Sequence, residues 1–162
     1  MKIGVLSDTH LHSLEAGVEL AQKLQNGPFA DVDTILHAGD HVYPALDSCF
    51  YPIPWYGVRG NMDDTQAVLP TSRIIDFAGK KIGMVHGWGS QYGIETRVLD
   101  FFAGFDLDVI IFGHSHQPVC RHIGKVLLFN PGSPTDRRSA PYHTVGILNI
   151  GTVVTAEIVR ID

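Results

Sequence analysis

Side chains that can bind a metal ion follow five predicted strands, each at the point where the strand ends. The clearest case is FGHSHQP at 112–118, in which two histidines stand one residue apart directly after the apolar run LDVIIFG at 107–113. Because ligands bind beyond the carboxyl ends of the strands in open α/β sheets, we expect these side chains to converge. The candidate ligands are Asp8, His10, Asp40, Asn61, His86, His114 and His116.

The chemistry of this set favours a pair of divalent ions. It mixes imidazole nitrogen with carboxylate and amide oxygen and contains no thiolate, which disfavours a structural zinc site. Such donors suit manganese, iron, zinc or nickel, and we expect two divalent metal ions with manganese as the first choice. Seven ligands are too many for one catalytic ion. They fit two ions that share a carboxylate, an arrangement that clamps an in-line displacement at phosphorus.

Some of the candidates have a simpler explanation when they are considered alone. Asp40 and Asn61 suit turns, and His10 or His86 could be an ordinary loop or core histidine. Their occurrence at successive strand ends favours the metal site instead. Glycine, which permits tight turns and close approach of the backbone, stands beside four of these ends. These glycines are Gly39, Gly60, Gly87 and Gly113.

The elements that must position these side chains begin in β-α-β order, which predicts a parallel sheet with helices packed on it. Strand patterns lie at 2–7, 33–40 and 53–61. Between the first two, apolar residues at helical spacing predict a helix over 13–25, with Ser13 as its N-cap.

The second half of the chain places glycine turns between strand patterns and therefore predicts hairpins. They lie at 73–86, 119–129 and 144–159, and a helix at 93–105 and a buried strand at 108–113 separate the first two. The sum is an α/β protein: a mixed-sheet α/β/β/α sandwich with parallel strands early, antiparallel hairpins late and the metal site at the carboxyl ends of the strands. No linker or repeat interrupts residues 1–162, which we expect to form a single domain.

The composition excludes several functional classes. The 162 residues carry a formal net charge of −5 without a stripe of lysine or arginine, so we expect no extended nucleic-acid surface. A strand pattern rather than a signal peptide begins the chain, and no apolar run reaches the roughly 20 residues of a membrane span. The two distant cysteines, Cys49 and Cys120, fit reduced thiols. We therefore expect a cytoplasmic protein without a membrane partner, and a homo-oligomer is left open.

The series DTH, GD, GNMD, HG and GHSH, in this order, resembles the calcineurin-like metallophosphoesterase superfamily. The resemblance is closest to its small single-domain prokaryotic phosphodiesterase branch and covers nearly the whole chain, including NPGS at 130–133. It implies how the candidate ligands divide between two ions. The first ion would be held by Asp8, His10 and His116, the second by Asn61, His86 and His114, and both by a bridging Asp40.

The resemblance also implies a reaction. It indicates a phosphoesterase with two metal ions, most of all a phosphodiesterase that acts on a small phosphodiester. In such an enzyme a hydroxide that bridges the two ions attacks phosphorus in line with the leaving group. The catalytic residues would be Asp40, Asn61 and His114. One position departs from the pattern, because many relatives carry a histidine after the asparagine as the acid that protonates the leaving oxygen, and here it is Met62. A thioether donates no proton, so we expect a preference for esters with a stable leaving group, such as aryl diesters.

Four residues near the ligand loops are candidates for contact with the substrate. His12 and His41 flank ligand loops and could touch the substrate or replace the missing acid. Ser133 and Arg137 could contact the non-bridging phosphate oxygens from the loop that contains NPGS.

Two other functions compete with hydrolysis. The first is a non-enzymatic scaffold that binds protein partners, like the small retromer subunit of the same fold, and the complete ligand set disfavours it. The second is a nucleotide-binding oxidoreductase, in which the glycines at 87, 89 and 93 would form a dinucleotide-binding turn. The acidic residues Asp106 and Asp108 precede the next strand rather than follow it, which places them at the wrong edge of the sheet for that role.

Overall fold

Two five-stranded β-sheets form the centre of the computed structural model, which describes residues 1–66 and 68–162. The strands are β1 (Lys2–Leu6), β2 (Thr34–His37), β3 (Trp55–Gly57), β4 (Ser72–Phe77), β5 (Lys80–Val85), β6 (Val109–Ile111), β7 (Val119–Ile123), β8 (Val126–Asn130), β9 (Thr144–Ile150) and β10 (Val154–Arg160). The helices are α1 (Leu14–Gln25), α2 (Ile94–Phe101) and a 3₁₀ helix at Leu46–Phe50.

Apolar side chains on one face of each sheet pack against the other sheet. Ile3 and Val5 of β1 share a buried cluster with Ile82 and Met84 of β5 and with Phe129 of β8. All five side chains are fully buried, as the inner faces of a β-sandwich require. This cluster fixes the two sheets face to face, so the strand ends of both sheets can contribute to one site.

Each α-helix covers the outer face of one sheet. Leu20 and Leu24 of α1 pack in one cluster with Ile35 of β2, and Val98 of α2 packs in another with Phe112, which follows β6. The predicted α/β/β/α sandwich is therefore confirmed. None of the helices in the described part of the chain has both the length and the apolar character needed to cross a membrane.

Strand direction differs from the prediction in one respect. The first sheet has the order β10-β9-β1-β2-β3, and the second has the order β4-β5-β6-β8-β7. Parallel pairs join β5 to β6 and β6 to β8, so they are not confined to the first half of the chain. The reason is that α2 connects β5 to β6 as a crossover, which makes neighbouring strands parallel. The last hairpin, in turn, pairs antiparallel with β1 and extends the first sheet.

The predicted helices and strands are present, and most are shorter than their sequence patterns. The predicted strand at 53–61 is reduced to Trp55–Gly57, and the preceding 3₁₀ helix at Leu46–Phe50 was not predicted. The N-cap of α1 is as expected, because the Ser13 hydroxyl accepts a hydrogen bond from Ala16 N at 3.2 Å.

The loops that follow neighbouring strands are joined by backbone hydrogen bonds. Asp8 N donates to Gly39 O at 2.9 Å and His10 N donates to Asp40 O at 3.0 Å, which joins the loops after β1 and β2. Gly113 N donates to the carbonyl of His86 at 3.0 Å and joins the loops after β5 and β6. These bonds hold the candidate ligands at one edge of the sandwich.

We predict that Phe129→Ala lowers the free energy of unfolding by about 3–5 kcal/mol, because it opens a cavity between the sheets. Chemical denaturation measures this change. Phe105→Ala is the control, since that ring is 58% exposed, and we expect it to cost less than about 1 kcal/mol. Equal losses in the two variants would contradict the assignment of Phe129 to the shared core.

Candidate metal centre

Five of the candidate ligands have left-handed backbone conformations. The φ angles are 54° at Asp8, 43° at His10, 59° at Asp40, 67° at His114 and 59° at His116. A residue other than glycine rarely adopts this region, at a cost of about 1–3 kcal/mol each, and such strain concentrates at functional sites. The loops therefore hold these side chains in directions that ordinary turns would not give.

Asp8, His10 and His116 form the first cluster of donors, with ligand atoms that all lie within 4.8 Å of one another. The Nε2 atoms of His10 and His116 are 3.2 Å apart, and His116 Nε2 is 3.4 Å from Asp8 Oδ1. His116 Nδ1 hydrogen-bonds the backbone carbonyl of Asp136. Since that bond requires the proton on Nδ1, Nε2 keeps its lone pair directed at the cluster.

Asp8, Asp40 and His86 form the second cluster, again within 4.8 Å. His86 Nε2 lies 3.2 Å from Asp40 Oδ2 and 3.8 Å from Asp8 Oδ1. Its Nδ1 donates to Ala38 O at 2.7 Å. Nε2 is buried and has no hydrogen-bond partner among the described residues, which is unusual for a buried polar atom and fits a nitrogen that binds a metal ion.

The two clusters are continuous through the two carboxylates. Asp8 belongs to both, and Asp40 Oδ2 lies 3.6 Å from His10 Nε2 in addition to its contact with His86. Asp8 is fully buried and Asp40 is 2% exposed. Both carboxylates therefore lie between imidazoles from opposite sheets, and Asp8 contacts as many of the ligand histidines as Asp40 does.

Asn61 and His114 lie at the open side of the clusters. His114 Nε2 donates to Gly89 O at 2.7 Å, so its Nδ1 carries a lone pair and faces Asn61 Oδ1 at 3.0 Å. Both of these atoms can bind a metal ion that lies beside them. The His114 ring also meets the His86 ring edge-on, with centroids 5.3 Å apart. The structure thus brings all seven candidate ligands into one region.

Glycine permits the close approach of the backbone to both carboxylates. A Cβ atom on Gly113 would lie 1.8 Å from Ser7 Oγ and 2.8 Å from Asp8 Oδ2. One on Gly60 would lie 2.1 Å from Asp40 Oδ1. Neither position has room for any side chain, which explains the glycines beside these strand ends.

The electrostatics of the site favour a bound cation. Burial raises the pKa of Asp8 to about 7, against the opposing effects of nearby His86 and of the hydrogen bond from Ser7 Oγ. Burial acts in the same direction on Asp40, but the adjacent His86 outweighs it and lowers the pKa of that carboxyl. Burial also lowers the pKa of both His10 and His116, so these imidazoles are neutral donors. Burial lowers the pKa of His86 too, but Asp40 and Asp8 beside it outweigh burial and raise that pKa, so a divalent ion would take the place of a proton there. Carboxylates and neutral imidazoles are the forms that bind metal, and with this exchange the residues present fit divalent ions.

Two of the residues predicted to touch the substrate are histidines with different surroundings. His12 is exposed beside the start of α1. His41 is 5% exposed, and its ring stacks on His37 with centroids 3.7 Å apart. The structure therefore places His41 inside the protein, whereas His12 faces solvent.

The other two predicted substrate contacts already have partners within the chain. The buried Ser133 hydroxyl donates to Asp8 O at 2.7 Å and accepts from Asp136 N at 2.8 Å, so it connects the NPGS loop to a ligand loop. Arg137 is exposed, and its guanidinium donates to Ala140 O at 2.7 Å.

Asp63 is a residue of the site whose role the sequence did not reveal. Its carboxylate accepts hydrogen bonds from Asp40 N at 2.9 Å, Gly60 N at 2.7 Å and Val42 N at 2.8 Å, and it lies 3.2 Å from His41 Nδ1. Burial opposes the charge, but His41 and the backbone donors hold the pKa of Asp63 well below its usual range. The only signal for this role was its place at the end of GNMD, which turn chemistry already explains.

The chain is similar to archaeal proteins over most of its length. It is 35% identical to a probable metallophosphoesterase of Methanothermobacter thermautotrophicus, with 99% of this chain and 92% of the relative aligned. It is 28% identical to a phosphodiesterase of Methanocaldococcus jannaschii, with 82% of this chain and 83% of the relative aligned.

Solved structures share the fold at lower identity. A predicted phosphoesterase from Streptococcus pneumoniae superposes with a TM-score of 0.77 at 23% identity, covering 98% of this chain and 88% of that one. Vps29 of Entamoeba histolytica, in complex with zinc, superposes with a TM-score of 0.72 at 22% identity, covering 100% of both chains. At these identities the likeness shows the fold alone.

A family model gives the same answer as the close relatives. The model that describes the calcineurin-like phosphoesterase superfamily domain matches residues 1–152. With the aligned metallophosphoesterase at 35% identity, this match covers nearly all of the strands and every candidate ligand. The chain therefore belongs to the calcineurin-like phosphoesterase superfamily.

Proposed function

We propose that this protein is a phosphodiesterase that holds two divalent metal ions between its seven candidate ligands. The observation that carries the proposal is the convergence of imidazoles from both sheets on the buried carboxylates of Asp8 and Asp40, with His86 Nε2 left unpartnered among them. Membership of the superfamily and the phosphodiesterase among the relatives support hydrolysis of a phosphate ester. A small phosphodiester is the proposed substrate.

The first cluster and the open pair support the proposed division of the ligands between two ions. Asp8, His10 and His116 would hold one ion, while Asn61, His86 and His114 would hold the other, with Asp40 shared. Bound divalent ions polarise a phosphoryl oxygen and lower the pKa of water, which is the chemistry that they supply here. We propose manganese, with iron, zinc or nickel as alternatives, because the donors are nitrogen and oxygen without sulfur.

The chain itself orients the donors and leaves one side open to the substrate. Backbone carbonyls of Ala38, Gly89 and Asp136 each accept a hydrogen bond from one ligand histidine and so fix which ring nitrogen is free. Asp8 and His116 are fully buried, whereas Asn61 is exposed and His114 is half-buried. We infer that the phosphate group reaches the site from the side of Asn61 and His114.

Loss of the leaving-group acid limits the proposed reaction. Met62 contributes its backbone N–H to Asp40 Oδ1 at 2.8 Å, and its 58% exposed side chain carries no proton to donate. His41 does not take over that role in this proposal, because its Nε2 is buried and its Nδ1 faces Asp63. The chain therefore suits esters whose leaving group needs no proton, such as aryl diesters.

A non-enzymatic scaffold is the second candidate, and the shared fold with Vps29 is the observation that favours it. A second copy of this chain, forming a homo-oligomer, would be one such protein partner. The closer relatives are metallophosphoesterases, which makes hydrolysis the better supported function. The two free cysteines agree with the proposed cytoplasmic location.

We predict that the purified protein binds two divalent ions per chain and hydrolyses bis(p-nitrophenyl) phosphate, and that chelation removes both properties. Asp40→Ala should lose at least one ion and at least about 100-fold in rate, the scale of losing one preorganised group. Elemental analysis and the release of nitrophenolate measure the two effects. Asp100→Ala, at an exposed position on α2, is the control and should change neither. Two retained ions without hydrolysis of any ester would favour the scaffold instead.

We predict that Asp63→Asn weakens metal binding by about 10–100-fold, because the residue anchors the backbone of Asp40 and Gly60. Titration calorimetry with Mn²⁺ measures the affinity, and circular dichroism checks that the fold is retained. The neighbouring Asp64 is exposed, so Asp64→Asn is a matched control that should bind like the unmodified protein. An unchanged affinity in a folded Asp63→Asn protein would show that the anchor is unimportant.

We predict that the loaded protein cleaves aryl diesters much faster than alkyl diesters. Met62→His should narrow that difference by raising the alkyl rate, up to the roughly 10²–10⁴-fold that general acids contribute. Met62→Leu, which changes the side chain without adding a proton, should leave the alkyl rate unchanged. Equal single-turnover rates for aryl and alkyl diesters in the unmodified protein would refute the missing-acid explanation.

A further inference from the structure

A cavity of about 210 Å³ adjoins the candidate metal centre on its open side. Asn61 and His86 line one end of it, and the aromatic side chains of Trp88 and Phe101 line it as well. Any phosphate held at the ligands would therefore have this cavity beside it. A second cavity of about 380 Å³ is larger, but none of the seven candidate ligands lines it.

The aromatic wall of the smaller cavity is exposed although it is apolar. Trp88 is 43% exposed and Phe101 is 45% exposed, and their rings meet edge-to-face with centroids 5.8 Å apart. Neighbouring exposed aromatic rings beside a polar site mark a place where an apolar group binds. Such rings offer their faces to any planar ring system, since stacking is tolerant of the identity of the ring.

This wall is held in place by the rest of the fold. Arg97 of α2 donates to Trp88 O at 3.0 Å, and the next carbonyl along the chain, that of Gly89, accepts from His114 Nε2. Phe101 packs edge-to-face on the buried Phe102, with centroids 4.9 Å apart. The aromatic wall is thus connected to one candidate ligand and to the core. Its side chains would therefore lose little conformational freedom when a ligand binds.

Polar groups complete the lining of the cavity. Arg59 and Thr71 both line it, and the Arg59 guanidinium is steadied by its hydrogen bond to Thr65 O at 3.0 Å. A positive charge in the lining, together with the aromatic wall, favours a ligand that is anionic at one end and aromatic at the other. A phosphate ester of an aromatic group has that form.

We propose that the cavity bounded by Trp88, Phe101 and Arg59 is a subsite for a planar aromatic group, an aryl ring or a nucleobase, carried by the phosphate ester. This inference rests on the proposed function, because the phosphate is taken to lie at Asn61 and His86. The cavity is smaller than the roughly 300–1,000 Å³ of sites for drug-sized ligands, which suits a single ring system. In this proposal Trp88 determines which esters bind, whereas the metal centre determines the reaction.

The test compares ligands that differ only in the aromatic group. With the manganese-loaded protein, titration calorimetry gives dissociation constants for methylphosphonate and phenylphosphonate, which share the phosphonate and are not hydrolysed. We expect phenylphosphonate to bind about tenfold more tightly, in line with stacking on an aromatic side chain. Trp88→Ala should reduce this ratio to about one, whereas Trp88→Phe should retain most of it. Tyr92→Ala is the control, because Tyr92 is an exposed aromatic residue in the same loop that does not line the cavity.

A second pair of ligands distinguishes the two sources of the aromatic group. Adenosine monophosphate carries a nucleobase where ribose 5-phosphate carries a hydroxyl group, and the two share the sugar and the phosphate. If the protein prefers adenosine monophosphate and the preference depends on Trp88, the subsite is assigned to nucleotides. If it prefers only phenylphosphonate over methylphosphonate, the subsite is assigned to small aryl esters. Both results support the subsite.

Failure of the subsite and failure of the proposed function give different results. If the unmodified protein hydrolyses bis(p-nitrophenyl) phosphate but binds both members of each pair equally, or if Trp88→Ala keeps the preference, the subsite is overturned and the phosphodiesterase stands. If the loaded protein neither binds phosphonates nor hydrolyses the diester, both proposals are overturned.

Discussion

Two buried carboxylates, Asp8 and Asp40, lie among imidazoles from opposite sheets, and the remaining features of the site follow from that arrangement. Removing an ionised carboxylate from water is costly unless a counter-charge or a metal ion compensates for it. Burial raises the pKa of Asp8 to about 7, even against the opposing effects of His86 and Ser7. The chain also accepts left-handed conformations at both aspartates in order to direct them inward. Strain and burial at the same residues are hard to explain by stability and are expected of a metal site.

The sandwich architecture is what makes the site possible. The first sheet supplies Asp8 and Asp40, and the second supplies His86 and His116, so neither sheet could form the clusters alone. Direct bonds join the two halves: His114 N donates to the Asp8 carboxylate at 3.1 and 3.0 Å. Assembly of the site therefore depends on the packing of the sheets against each other.

Much of this organisation could be predicted from local sequence patterns. The ligand types, their positions after strands and the N-cap at Ser13 depend on a few adjacent residues, and the structure has the strands and the cap in the expected places. The role of Asp63 could not be predicted, because its three backbone donors come from segments about twenty residues away as well as from its own loop. Long-range packing likewise decides that His41 is buried and that Ser133 bonds Asp8 O. Strand direction was partly mispredicted because the crossover through α2 makes β5 and β6 parallel, and this depends on long-range pairing rather than on a local pattern.

The proposed sharing of Asp40 by two ions can be tested directly by crystallography of the protein soaked with Mn²⁺, using anomalous differences at the manganese edge. The account predicts two anomalous peaks in each molecule, one on either side of the Asp40 carboxylate and both in contact with it. One peak is to be surrounded by Asp8, His10 and His116, and the other by Asn61, His86 and His114. A single peak, or two peaks of which only one touches Asp40, would contradict the central claim.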